Sequence, residues 1–178
     1  MKIWFTADCH FDHENIIKFC NRPFKNVNHM NEEIIRRWNN KVSSGDVVYH
    51  IGDFAFKGMS NAIRFESKLN GKIVHIRGNH DKNNGVKTYI TKAIMEFGGL
   101  VFYVTHIPPV ENQIGTIESN LISICDFILC AHVHNLWKWK RIDNKIAINV
   151  GVDVWNFEPI NIHSILKLIS RIKKGIEA

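Results

Sequence analysis

Five short clusters in this chain place carboxylates, imidazoles and one amide at spacings that suit metal and acid–base chemistry. They are Asp8-Cys9-His10, Gly52-Asp53, Gly78-Asn79-His80-Asp81, the lone His106, and Ala131-His132-Val133-His134. In the third cluster the amide offers a neutral oxygen ligand and the imidazole a titrating acid or base. The neighbouring carboxylate can fix the imidazole's tautomer. That is catalytic equipment once a metal or a nucleophile is supplied. Read alone, the same four residues are also a polar turn with Asn in a left-handed conformation.

Each cluster sits at the end of a short apolar run. Ile3 to Ala7 leads to Asp8, Asp46 to Ile51 leads to Asp53, and Lys72 to Arg77 leads to Gly78 and Asn79. Leu100 to Thr105 leads to His106, and Phe127 to Cys130 leads to His132. Short β-branched runs closed by Gly or polar residues read as buried strands. In a largely parallel α/β sheet such ends lie along one edge, where ligands bind. The five groups therefore converge, with His10 and His134 each two positions beyond a converging residue. Two carboxylates, one amide and four imidazoles suit Mn, Fe, Zn or Co better than Ca or Mg. Seven ligands exceed the needs of one ion, so two ions sharing a bridging carboxylate is the natural solution. Without metal, the same burial would leave carboxylates and imidazoles unpaired, which is costly.

The remaining elements are helical or hairpin-like. Asn31 to Val42 carries Ile34, Ile35 and Trp38 at helical spacing with Asn31 as cap, and Ser60 to Leu69 is a helix stopped at Asn70-Gly71. Val86 to Glu96 is ambiguous, with a helix the reading entertained. Ile117 to Ile124 reads as a helix, and Leu136 to Arg141 with Lys145 to Val150 as a hairpin across Asp143-Asn144. His163 to Lys173 is a closing amphipathic helix. No repeat or linker divides residues 1–178, so one domain is expected.

The composition, 45% hydrophobic and 22% charged, is that of a globular protein. A net charge of +6 and a pI of 9.2 are compatible with an anionic partner. Cys9, Cys20, Cys125 and Cys130 form no CxxC pair and read as reduced, buried thiols. Neither a secretory leader nor a membrane-length apolar run is visible, so a cytoplasmic protein without membrane partners is expected.

Taken together and in order, the five motifs resemble those of the calcineurin-like metallophosphoesterase family, over Asp8 to His134. The chain's size is similar to that of the compact single-domain prokaryotic or phage members. The resemblance implies an α/β sandwich of two mixed β-sheets flanked by α-helices, layered α/β/β/α, with the closing hairpin in a sheet. It implies one metal on Asp8, His10, Asp53 and His134. Asp53 would bridge to a second metal on Asn79, His106 and His132. Two divalent transition-metal ions are expected, manganese first, with iron, zinc, nickel or cobalt as alternatives. The implied reaction is hydrolysis at phosphorus by a metal-bridging hydroxide, the ions standing about 3.5–4 Å apart, without a covalent enzyme intermediate. His80 would be the general acid and Asp81 would orient and charge it. Two departures from the family pattern remove no ligand: Phe54-Ala55-Phe56 follows Asp53 where another acid is usual, and Ala131 replaces a Gly.

Beside the first motif, His13 and Arg22 are candidates for contact with substrate phosphate. The plainer reading has Asp12 or Asn15 capping a short helix and Arg22 solvated. His50 and His75 read as packed, hydrogen-bonded imidazoles, and strand alternation turns Cys9 away from the ligands. Asn149 and Asp153 are placed to support a ligand histidine. The Trp137-to-Arg141 alternation fits a hairpin face as well as a nucleic-acid platform. Neither a G-x-S-x-G elbow nor a Walker loop occurs. The basic balance and the absence of a capping domain lean towards a phosphodiester of a nucleotide or nucleic acid. The alternatives are a phosphomonoester of a small metabolite or phosphoprotein, and a non-catalytic metal- or nucleic-acid-binding scaffold, which an intact ligand set and His80 argue against. Monomer and homodimer are both compatible with the sequence.

Overall fold

The computed structural model describes residues 1–84, 86–110 and 117–176. Three strands, β1 (Ile3–Thr6), β2 (Val47–Ile51) and β3 (Lys72–Ile76), form parallel pairs in one sheet. Between them run α1 (Asn15–Phe19), α2 (Val27–Lys41) and α3 (Met59–Glu66). The short α4 (Asp81–Asn84) follows β3. The second sheet contains β4 (Lys92–Phe97), β5 (Leu100–Thr105), β6 (Phe127–Cys130), β7 (Trp139–Ile142) and β8 (Lys145–Asn149) in the order β4-β5-β6-β8-β7. Its three inner strands are parallel and both edges antiparallel. Helix α5 (Ile117–Ser123) precedes β6. A two-residue β9 (Ile160–Asn161) closes the first sheet against β1 before α6 (Ile162–Lys173).

The apolar runs look continuous because both faces of each sheet are covered. Alternation sorts them by face. Phe5, Ala7, Ile51 and Ile76 meet Phe102, Val104, Leu129 and Ile148 between the sheets, where Ile165, Leu168, Ile169 and Ile172 of α6 also pack. Trp4 and Val48 point the other way, against Met30, Ile34 and Trp38 of α2 and Ala62 and Phe65 of α3. Tyr103, Ile128, Cys130 and Ala147 form the outer core of the second sheet, with Ile122 of α5 against it. This is the α/β/β/α sandwich of the calcineurin-like fold. Among the described residues, no helix is long and apolar enough to cross a membrane.

The functional strand ends come from both sheets, as a two-sheet sandwich allows. Two local expectations are corrected. Residues 92–97 of the ambiguous segment are a strand: Ala93, Met95 and Phe97 pack inward while Lys92, Ile94 and Glu96 face out. Gly98 and Gly99, both at positive φ, turn that strand tightly into β5. Helix α2 begins four residues earlier than expected, because Asn26 caps it by accepting from the His29 amide at 2.9 Å. Asn31 lies inside the helix and bonds Asp12 instead.

Candidate metal centre

The loops after β1, β2, β3, β5 and β6 close on one point, and they do so through unusual backbone. Asp8, His10, Asp53, His132 and His134 all have positive φ, between 49° and 70°. Asp and His tolerate this region better than most residues, yet each such position costs on the order of 1–3 kcal/mol and persists only where its surroundings dictate it. Those surroundings are backbone bonds between loops: Asp8 N–H to the Gly52 carbonyl, His10 N–H to that of Asp53, and Ala131 N–H to that of His106. Glycines permit the approach. A Cβ at Gly52 would lie 2.5 Å from His106 Nδ1, and one at Gly151 would lie 2.6 Å from Asp8 Oδ2. At Gly78 it would run into the Asp53 carboxylate.

Two groups of donor atoms result. Asp8, His10 and His134 offer ligand atoms within 4.8 Å of one another, and so do Asp53, His106 and His132. Asp53 stands between them, its Oδ2 3.6 Å from His10 Nε2 and 3.3 Å from His106 Nε2. Asn79 joins the second group, Oδ1 lying 3.0 Å from His106 Nε2. All seven residues expected as ligands are therefore brought together.

The group is incomplete without a cation. Asp8 Oδ1 and both ring nitrogens of His10 are buried without a hydrogen-bond partner. His106 Nδ1 must donate to the Ile51 carbonyl at 2.8 Å, so a neutral ring points its Nε2 lone pair at two oxygens. The titration behaviour follows. Burial pushes Asp8 up to about 6 and His10 well below its usual range. Burial opposes charging of His106 too, but the bond to Asp53 and the field of Asp8 outweigh it and lift the ring to about 9. Burial likewise disfavours ionised Asp53, yet His106 and His10 hold it below the carboxylate range. Divalent ions would satisfy these lone pairs, and a set of nitrogen and carboxylate donors fits Mn, Fe or Zn.

Asp153 and Arg22 brace the first group. His134 Nδ1 donates to Asp153 Oδ2 at 3.0 Å, which aims Nε2 towards the donor group. Although burial disfavours its charge, that bond helps lift His134 to about 10. Arg22 binds Asp153 through Nε and Nη2, both at 2.8 Å, and donates to the carbonyls of Asp8 and Cys9. With Met30 Sδ as a fifth partner and only 4% exposure, Arg22 has no donor left for a phosphate. The expected substrate contact through Arg22 is corrected accordingly: neither solvated nor in the cleft, it is a bolt beneath the first loop. Asn149 completes the support, donating to the carbonyls of His134 and Trp137 and accepting from Gly151.

Asp81 is the second correction. Its carboxylate does not face His80. It is buried and accepts from the backbone amides of Asp53, Phe54 and Gly78, tying the β2 and β3 loops together. His80 itself is exposed, 5.6 Å between ring centres from His10, and its amide donates to Asp53 Oδ1. His13 shares a cavity with His80. Cys9 is buried with its thiol 3.3 Å from His50 Nε2, as alternation required. His50 and His75 are packed but incompletely bonded: among the described residues neither Nδ1 has a hydrogen-bond partner, while His75 Nε2 stands 3.5 Å from Glu66 Oε2. Cys20, whose thiol lies within 4.8 Å of His134 and Asp153, carries no sequence signal that would have marked it.

A family model described as the calcineurin-like phosphoesterase superfamily domain matches residues 1–163. An uncharacterised protein of Methanocaldococcus jannaschii is 38% identical over 177 residues, spanning 97% of this chain and 93% of its own. Among solved structures, a protein of unknown function from Aquifex aeolicus superposes with a TM-score of 0.71 at 24% identity, covering 94% of this chain and 98% of that one. That likeness is one of fold.

Proposed function

The chain belongs to the calcineurin-like phosphoesterase superfamily, and from that membership we propose that it is a metal-dependent hydrolase of phosphate esters, a phosphodiesterase acting on a nucleotide or nucleic acid. The observation that carries the reading is the meeting of two donor groups at one shared carboxylate, Asp53. Asp8, His10, Asp53 and His134 would hold one ion, and Asp53, Asn79, His106 and His132 a second. Bound there, divalent ions would lower the pKa of an attacking water and neutralise charge on the phosphoryl oxygens. The protein's own part is to hold that donor set on strained, braced loops and to place acids around it. His80, exposed at the cleft and anchored through its amide to Asp53, is the group to protonate the leaving oxygen. Asp81 acts behind it by fixing the backbone of both loops.

The test compares bis-p-nitrophenyl phosphate with p-nitrophenyl phosphate, using chelator-stripped protein with and without manganese, alongside Asp53→Asn. The expected result is metal-dependent cleavage favouring the diester and lost in the variant. Protein shown to hold two ions that cleaves neither compound would overturn the reading in favour of a non-catalytic scaffold.

A further inference from the structure

Two cavities adjoin the donor residues. On one side of His106 and Asn79 lies a cavity of about 360 Å³ lined by Arg77, Lys92 and Glu118 together with Ile107, Pro109 and Val110. On the other, a cavity of about 370 Å³ shares its lining between the donor residues His10, His132 and His134 and a group of apolar side chains. Two of these are large and turned out to solvent: Phe19, 74% exposed, and Leu136, 78% exposed. Ile107 and Val110 are exposed beside the first cavity too, but of the two cavities the second alone carries an exposed aromatic ring, Phe19.

Between rim and floor stands His13. Its Nδ1 accepts the Ile16 amide at 3.0 Å, so the neutral ring carries its proton on Nε2. Among the described residues that atom has no hydrogen-bond partner, and His13 lines the cavity. Its ring packs edge-on against Phe56 at 4.0 Å and against Phe19 at 6.3 Å, so its orientation is held from two sides.

We propose that this wall, Phe19 and Leu136 with the His13 N–H between them and the donors, binds the nucleoside half of the substrate. The base would lie on the apolar rim while the phosphate sits over the donor residues. The inference rests on the phosphoesterase reading and adds to it the place where the base of the substrate lies. An apolar, ring-bearing rim favours a planar base over a sugar alone, because every base has a face to stack while ribose has none. A phosphate fixed on the floor brings that base to the rim at no further cost in orientation.

Calorimetric binding of AMP, ribose 5-phosphate and inorganic phosphate to the manganese-loaded protein tests this directly. AMP should bind roughly tenfold or more tightly than ribose 5-phosphate. In the double variant Phe19→Ala, Leu136→Ser that preference should vanish while inorganic phosphate binds as before. Both side chains are mostly in solvent, so the variant keeps its core. Equal affinity for AMP and ribose 5-phosphate in the parent protein, or a preference surviving in the double variant, overturns the proposal and leaves the phosphoesterase reading standing. Failure of inorganic phosphate itself to bind the loaded protein would overturn both.

Discussion

The two donor groups on either side of Asp53 are built to different standards. Asp8, His10 and His134 rest on a buried platform: Asp153 holds His134, Arg22 holds Asp153 and two loop carbonyls, and Asn149 holds the His134 backbone. In the second group, His106 is held by the Ile51 carbonyl, whereas Asn79 and His132 are exposed and their side chains are not backed by a buried carboxylate as His134 is by Asp153. The difference separates preorganisation from access. The first group is assembled before any ion arrives, whereas the second borders the open cleft with side chains free to adjust to a ligand.

The sharpest way to break that comparison is Arg22→Ala. It leaves the buried Asp153 carboxylate with His134 but without its bidentate partner, and the Asp8 and Cys9 carbonyls without their donor, so about 3–5 kcal/mol of stability should go in urea unfolding of metal-free protein. His132→Ala, at an exposed ligand of the second group, should cost within about 1 kcal/mol in the same experiment. A loss below about 1 kcal/mol for Arg22→Ala would show that the platform is no stiffer than the exposed side. Arg64→Ala gives the scale for an exposed arginine: its bond to Asp12 should contribute at most about 1 kcal/mol.

Next in size is Asp153→Asn, which keeps the shape but removes the charge that fixes His134. Loss of such a partner typically costs about 10–100-fold in metal affinity. In a manganese titration the tighter of two steps should weaken, while Asn79→Ala should weaken the other. If either variant moves both steps equally, the two groups act as one site.

How much of this was legible in the sequence follows from the same contrast. The donor residues were readable because each is a polar residue at or just past the end of an apolar strand, a pattern that local order and spacing preserve. Their convergence was readable too, and the two-sheet sandwich that supplies the strands followed from the order of the motifs. The platform was legible only as a hint at Asp153 and Asn149. Arg22 was noticed and misassigned, since a lone Arg near a phosphate site looks the same whether it points out or in. Its partner lies 131 positions away, and no local pattern links the two. Asp81 was misread for the converse reason. Adjacency to His80 implied a side-chain pair, but the turn between β3 and α4 sends the carboxylate back to the amides of Asp53 and Phe54.

The smallest effect is a slope, and it joins the two groups instead of separating them. His106 and His134, one from each, are lifted to about 9 and about 10 when only protein surrounds them. Between pH 6.5 and those values the folded chain keeps protons that the unfolded chain has lost. Stability they supply is therefore complete below 6.5 and drains away as pH rises through 9 to 10, by at most about 1.4 kcal/mol per pH unit for each group. Asp8, raised to about 6, loses its contribution lower down, the depressed His10 and His132 act only below 6.5, and the thiols of Cys9, Cys125 and Cys130, pushed up by burial, enter only above about 9, so the window from pH 6.5 to 8.5 belongs to the two raised histidines. Thermal midpoints in chelator should accordingly fall from pH 6.5 to 8.5. With manganese the ion competes with those protons for the same lone pairs, so its stabilisation should grow over that range and flatten or reverse the fall. Parallel slopes with and without the ion would mean that neither imidazole gives up its proton to a metal, and the donor assignment on both sides of Asp53 would have to be abandoned.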